Sequence, residues 1–502
     1  MIPFATIPSN TRLPLFFAEV NNSQANSSGG INQRTLIIGQ MTAAGNGVAN
    51  VPIISAGVGD GQTKYGQNSN LASMLASYRQ GDNFGEVWCL PLADDSTAAA
   101  ATNTITISGV PTANGAVSLY IGGGGLWGDG TGRYQIGVTS VSTPTSIAAA
   151  IAAAINADSY SPVNATSALG VVTLTAVNKG LTGNDIDVRL NYQGTLGGEA
   201  IPAGLTIVVA TPQCAGGAVN PVLTTALANC GNTLFDFIVM PYTDATSLNA
   251  MDSFLSMSTG RWSWGEQIYG GFFSASRGTF GVLTTLGNSR NGPNGSILGV
   301  YDSPTPSWLI TAQLTAAAAV SLRNDPGQPV QTLPIIGMMA PPTQSQFPMT
   351  ERNTLLYDGI STFTVGQGGT CHIENLITTY QKNPAGDPDS SFLEVETLYT
   401  LAYCLRYMSG VISSKYSRMK LAANGTRFAA GSAVVTPNIL TSEIISAYQV
   451  LEFNGYVQNS ASFAKEVIVE QNATNPNRVD CLWPGTLINQ LRVFALLAQF
   501  RL

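Results

Sequence analysis

The sequence predicts a multidomain chain of mixed α/β and α+β class: a doubly wound parallel domain with an inserted β-rich module, a C-terminal α+β domain, and extended arms at both termini. Three observations carry this reading. At 502 residues the chain has room for about three domains of roughly 100–200 residues each. Strand-like and helix-like patterns alternate with short links over 34–92 and again over 220–322, the pattern of parallel crossover units. Between them, over 94–218, the alternation gives way to short Thr/Val/Ile runs.

Taken in order, residues 1–30 are punctuated by proline and end in NNSQANSSGG without a helical period, which reads as an extended arm and flexible linker. RTLIIGQM (34–41) is a buried-strand run. In SNLASMLASYRQG (69–81), Leu71, Met74, Leu75 and Tyr78 recur at helical spacing, with Asn70 as cap and Gly81 past the end. GEVWCLPL (85–92) is the next strand. The insert, 94–218, holds strands at 104–108, 117–121, 133–138, 171–176, 186–192 and 205–210, and one Ala-rich helix at 146–156 with Ile147, Ile151 and Ile155 on a stripe. Because the alternation resumes beyond it, its ends should meet and its core should be separate. Asn220-Pro221 then opens a helix to 231, followed by a strand (234–240), helix (247–258), strand (268–273), helix (280–286), strand (297–301) and helix (308–322). The parallel domain is therefore expected at 31–93 and 219–342.

From 343 to 485 the pattern is α+β: a helix at 351–360, a hairpin at 361–380 around a central Gly pair, helices at 392–416 and 437–453, and strands at 467–471 and 478–483. Residues 486–502 read as a strand to the end. There Leu491, Val493, Ala495 and Leu497 alternate with Arg492, Phe494, Leu496 and Ala498, so both faces are largely apolar, as in a strand buried within a sheet. Exposed on a monomer, such a strand would invite aggregation.

Composition narrows the function. Lys and Arg number 22 and Asp and Glu 29, so charged residues make up 10% of the chain against roughly 25% in an ordinary soluble domain. Neutral polar surface desolvates more cheaply than charged surface, and interface cores are depleted in charge, which suits a chain packed against copies of itself. A net charge of −7 argues against direct nucleic-acid binding. MIPFATIPSNTRLP lacks a basic n-region and an apolar h-region, and no run of 18 apolar residues occurs, so neither signal-peptide export nor membrane insertion is expected.

Candidate chemistry is sparse. The six cysteines include no CxxC pair, so no local zinc or redox motif is encoded. His372 is the one histidine, and it follows Cys371. Adjacent strand residues point to opposite faces, so the two should not form a catalytic dyad, and His372 should share its face with Glu374. No G-x-S-x-G exists to seat a serine nucleophile. Residues 123–128 fit G-x-G-x-x-G formally, but no helix follows to hold a dinucleotide phosphate, and a loop at the tip of the insert is the better reading. Asp387-Pro388-Asp389 is an acidic turn lacking further ligands for a cation. No cofactor and no metal are expected. One feature is positive: Arg406, Lys415, Arg418, Lys420 and Arg427 fall within 22 positions that contain no Asp or Glu. That reversal of sign reads either as a solvated helix end or as an electrostatic dock for an acidic partner.

The chain resembles the tail sheath proteins of contractile-tailed bacteriophages, in particular the Mu-like branch. The resemblance rests on IPSNTRLPLFFAEVNNSQAN (7–26), NKGLTGNDIDVRLNY (178–192), PYTD (241–244), ERNTLLYDGIST (351–362), TTYQKNPAGDPD (378–389), KLAANGTRF (420–428) and NRVDCLWPGTLINQLRVFALLAQF (477–500), and spans essentially the full length. DPGQPVQTL (325–333) departs from the family's more usual DPA-R-PL, and the cysteines are no family signature.

The resemblance implies a non-catalytic structural subunit with a subtilisin-like α/β domain. Its copies would form stacked sixfold rings around the tail tube, with baseplate and tail terminator proteins as further partners. Contraction would drive the tube through the host envelope for genome ejection, in a virion tail assembled in the host cytoplasm. It further implies that the C-terminal domain faces the tube, placing the basic segment against it, that the insert projects outward, and that both arms join neighbouring subunits. Leu15, Phe16 and Phe17 would act in one arm, and Leu491, Val493, Phe494, Leu496, Leu497 and Phe500 in the other. Extended, 1–30 would reach about 100 Å and 486–502 about 55 Å at roughly 3.3 Å per residue. Cys214, in a loop, and Cys481, just before the terminal arm, would be placed for intersubunit disulfides after release into an oxidising medium, whereas Cys89 would sit in a core strand. Two other classes are a cysteine hydrolase built on Cys371 and His372, and a surface-layer or adhesin protein, which should carry an export signal.

Overall fold

The computed structural model describes residues 33–122 and 132–501. The N-terminal arm, with Leu15, Phe16 and Phe17, and the glycine run at 123–128 lie outside the described residues.

The centre of the molecule is a six-stranded sheet in the order Gly295–Val300, Gly271–Arg277, Phe237–Val239, Arg34–Gln40, Glu86–Leu92, Ile53–Ile54. Five strands are parallel, and the two-residue edge strand is antiparallel. Strand order grows in one direction from Arg34–Gln40 to Glu86–Leu92, then returns to the other side of the first strand and grows away from it. Leu36, Ile37 and Ile38 are all fully buried, as a strand covered on both faces requires.

One face packs Leu36, Ile38, Leu90, Met240, Phe272 and Ile297 against the helices Ala245–Leu255, Phe280–Asn288 and Met349–Tyr357. The other packs Ile37, Val87, Cys89 and Val239 against Asn70–Gly81 and Ser307–Asn324, and Phe273 and Leu298 against the latter. Ser307–Asn324 is buried nearly all round, so it shows little amphipathic stripe and reads as Ala-rich.

Two local expectations are corrected. Ser69, not Asn70, caps Asn70–Gly81, its side chain accepting from the Ala72 N–H, while the Asn70 amide turns to Thr182. The helix expected over 220–231 shrinks to Thr224–Ala228. The Asn220 carboxamide is occupied in the loop, accepting from the Leu181 N–H and donating to Asp244, and Val219 takes a positive φ of 65°, so neither continues a helix.

Within the insert, antiparallel sheets ordered Leu205–Val209, Thr102–Gly109, Val171–Ala176, Val163–Ala168 and Arg133–Val138, Gly115–Ile121, Val188–Leu190 enclose one face of the helix Pro144–Ala157. Ile147, Ile151 and Ile155 are buried there, and the cluster draws only on residues between Ala101 and Cys214. Thr143 and Ser146 form a reciprocal cap at the helix start. Ala99 pairs with Ala218, so the chain enters and leaves at one point.

After the sheet, Pro334–Met339 joins the hairpin Thr362–Val365 with Thr370–Asn375 in a three-stranded antiparallel sheet. The helix Val395–Tyr416 touches three clusters, with Val395 and Tyr399 packed alongside Phe273 and Leu298. Leu398 and Ala402 pack on the central sheet, while Cys404 joins Ile444, Tyr448 and Phe463 in a distal cluster with Pro437–Phe453. Tyr448 stacks on Phe463 with ring centroids 3.8 Å apart, and Trp483 closes the group. Ile468–Gln471 pairs with Val479–Leu482, and Thr486–Leu487 with Val457–Gln458.

Candidate functional site

Open parallel sheets bind ligands at the carboxyl ends of their strands, where the strand order reverses. In this chain that crevice is filled by the insert's own segment 178–189. The Gln40 amide, fully buried at the end of its strand, donates to the Asp94 carboxylate at 2.7 Å and the Lys179 carbonyl at 2.6 Å, and its oxygen accepts from Thr182. Asn178 donates to the Met41 carbonyl and to Asp94 at 3.0 and 3.1 Å. Asp185 pairs with Arg277 and accepts from the Ser307 N–H at the first turn of Ser307–Asn324, where the helix dipole favours a carboxylate. The Arg277 guanidinium also donates to the Ser303 and Thr305 carbonyls. Arg189 bridges Asp187 and Asp302 at 2.6 and 2.7 Å. Gly122 lies so close that a Cβ would meet the Pro304 carbonyl at 2.4 Å. The carboxylates Asp94, Asp185 and Asp187 and the guanidinium groups of Arg189 and Arg277 are all engaged across this crevice, which makes it a lock between insert and sheet. Excising 94–218 would strip Asp185 from Arg277 and unseal Gln40, so a clean removal is not expected.

The hydrolase residues do not meet. Cys371 is fully buried with Ile373 in the core, where burial pushes its thiol up to about 12, and His372 points to the other face of the strand opposite Thr364. Glu374, two residues on, is engaged by Arg352 at 2.8 Å and by Thr362. Asp389 accepts from the Tyr380 hydroxyl and the Ser391 N–H, which makes 387–389 a structured turn. Among the described residues no group of three or more His, Cys, Asp or Glu is placed to hold a metal ion.

The basic segment divides. Arg406 is an internal brace: it donates to Asp236 at 2.5 Å and the Tyr269 carbonyl at 2.6 Å, tying Val395–Tyr416 to the foot of the central sheet. Sequence spacing could not show this, because Asp236 lies 170 residues away. Lys415 is held by Glu443 at 2.5 Å on the neighbouring helix. Arg418, Lys420 and Arg427 are exposed on the segment between Val395–Tyr416 and Pro437–Phe453, Lys420 in the short strand Lys420–Leu421 that pairs with Val434–Val435.

Cys214 is corrected as well. It is 3% exposed in the core of the insert, held by its N–H bond to the Ile186 carbonyl, and its thiol is pushed up to about 12 by burial. Cys481 is the one exposed cysteine. Brief alkylation of the native subunit should therefore label one thiol, at Cys481, and all six after unfolding. Labelling of Cys214 at a comparable rate would contradict the packing of the insert.

The C-terminal arm is a strand only over Thr486–Leu487. Beyond the Ile488 N–H bond to the Tyr456 carbonyl it runs without regular structure, and among the described residues no strand pairs with it. Leu491, Val493, Phe494, Leu496, Leu497 and Phe500 are 69–84% exposed. A row of bare apolar side chains on unpaired backbone marks an interaction site.

Comparison with known proteins gives consistent matches. Residues 216–379 match the model of the phage tail sheath protein central domain, and 387–501 that of the phage tail sheath C-terminal domain. A Mu-like prophage tail sheath protein of Haemophilus influenzae is 37% identical over 500 residues, covering 99% of both chains. Among solved structures, a sheath tail protein of Desulfitobacterium hafniense aligns with TM-score 0.47 at 12% identity, over 95% of this chain and 99% of that one. A chain of the anti-feeding prophage baseplate aligns with TM-score 0.46 at 10% identity, over 98% and 100%.

Proposed function

From the premise that this chain belongs to the phage tail sheath family and is a structural subunit of a Mu-like contractile tail sheath, we propose that it polymerises as stacked sixfold rings around a tail tube. The observation that carries this reading is the C-terminal arm, whose six large apolar side chains find no cover among the described residues. Their natural cover is a neighbouring copy, where an added strand would pair its backbone and bury its side chains. The N-terminal arm would make a second link of the same kind.

The subunit acts without catalysis in this reading. Its parallel domain is doubly wound in the subtilisin-like manner, and the crevice that would hold a substrate is occupied by 178–189. The insert at 94–218 faces outward, and the domain at 343–485 faces the tube. Contraction then drives the tube through the host envelope while the arms keep subunits joined. The sheath is a component of the virion tail, built in the host cytoplasm from this subunit, the tube protein, and baseplate and terminator proteins.

Electron microscopy of the purified full-length chain tests the reading: straight hollow tubes are expected, and dispersed particles at all concentrations would refute it. In this reading the tube dock comprises Arg418, Lys420 and Arg427. Arg418→Glu with Lys420→Glu should reduce co-assembly on tubes at least tenfold. Wild-type co-assembly should fall with added salt, since screening at 0.15 M acts over about 8 Å. Unchanged co-assembly of the double variant would remove the dock.

A further inference from the structure

Between Cys481 and Phe500 the chain carries a single charge, Arg492, set in the middle of the apolar arm. Its side chain is 16% exposed while its neighbours Leu491 and Val493 are 69% and 81% exposed, so the arm touches the body chiefly through this residue. One guanidinium nitrogen donates to Glu394 and to Glu396 at 2.7 Å each, and the other reaches the Gln331 side chain at 3.3 Å. Gln331 in turn donates to the Leu491 carbonyl. The Glu396 side chain is fully buried, and its second oxygen accepts from the Val330 N–H at 2.8 Å, so this acceptor is itself fixed by backbone at the start of Val395–Tyr416. This is a built socket for one cation.

Its meaning follows from the composition of the arm. A strand that is apolar on both faces pairs almost as well after a slip of two residues, since the same kinds of side chain return to the same face. Register must then be imposed from outside, and a single buried charge is the best-attested device for doing so.

Resting on the sheath reading above, we propose that Arg492 is the positioning residue of the C-terminal arm: its capture by Glu394 and Glu396 fixes the point from which the arm departs, so that 493–502 is the exchanged segment and its register in the neighbouring subunit is set. The exchanged length is then about 33 Å at roughly 3.3 Å per residue, shorter than the span counted from 486.

The exposed Cys481 and a Val493→Cys substitution supply two spin-label sites in the full-length chain, the other five cysteines being buried. Dipolar distance measurement on unassembled subunits should give one narrow distribution. It should at least double in width in Arg492→Ala, and likewise in Glu394→Gln/Glu396→Gln, which leaves the arm untouched and serves if the first variant folds poorly. Without labels, Arg492→Ala should reduce the yield of regular tubes at least tenfold, with Arg492→Lys intermediate because it keeps the charge and loses the fork. A distribution as narrow in both folded variants as in the parent, or an undiminished tube yield, would overturn the proposal. Absence of tubes from the wild type would instead count against the sheath reading, since the distance measurement does not depend on assembly.

Discussion

Arg406→Ala should destabilise the subunit by about 3–5 kcal/mol at neutral pH, because it leaves the Asp236 carboxylate buried without its cation. Asp236 keeps only the Arg34 N–H at 3.1 Å among the donors that now hold it. Arg418→Ala, on an exposed side chain, should stay within about 0.5 kcal/mol. The penalty should also depend on pH. Burial raises the Asp236 pKa above its ordinary value and Arg406 opposes the rise, so removing Arg406 raises it further. A carboxylate with a raised folded pKa favours the folded state while it holds its proton and loses that advantage as pH rises through the folded value. The Arg406→Ala penalty should therefore shrink in acid and grow toward neutrality. Hydrogen exchange at Phe237–Val239 across a pH series checks this. A variant as stable as the parent would mean that Arg406 belongs to the surface after all.

The second large effect is on assembly. Ending the chain after Arg492 should leave subunit stability nearly unchanged, since Val493, Phe494, Leu496, Leu497 and Phe500 are 77–84% exposed, but should abolish tubes. Each of those side chains is worth roughly 1.5–3 kcal/mol when fully buried, a gain that the described residues of its own chain do not supply and that another subunit would. Cutting at 486 would be less informative, because it also removes the Thr486–Leu487 pairing and the counter-charge of Glu394 and Glu396. Thermal unfolding and electron microscopy of the shortened chain separate the two effects. A cooperative loss of stability, or tubes of normal yield, would contradict the exposure of the arm.

What the sequence could and could not disclose follows from the range of the interactions involved. The helix at 70–81 and the Ile stripe at 147, 151 and 155 were legible because helical spacing is local, and the hairpin around Gly368-Gly369 because its turn and alternation are adjacent in sequence. Val163–Ala168 was missed, since Asn, Ala and Ser carry little strand signal and the strand exists because it pairs with Val171–Ala176. Arg406 and Cys214 were misplaced for one reason: their environments are made by partners far away in sequence, Asp236 for the first and the turn at Ile186 for the second. The crevice lock was not legible: NKGLTGNDIDVRLNY stood out only as a stretch resembling the sheath family, with a strand from 186, and its polar residues find their partners only when the end of the sheet is set against them. The terminal arm reads from its sequence as a strand over 486–502, but beyond Thr486–Leu487 it has no strand partner among the described residues, which is the physical content of the assembly claim.

That claim is tested most directly by a three-dimensional reconstruction of the assembled polymer at side-chain resolution. The account predicts density for 493–501 of each subunit lying as an added strand on a neighbouring copy, with Arg492 still seated between Glu394 and Glu396 of its own chain. An arm folded back onto its own subunit, or left without ordered density while the tube is intact, would contradict it.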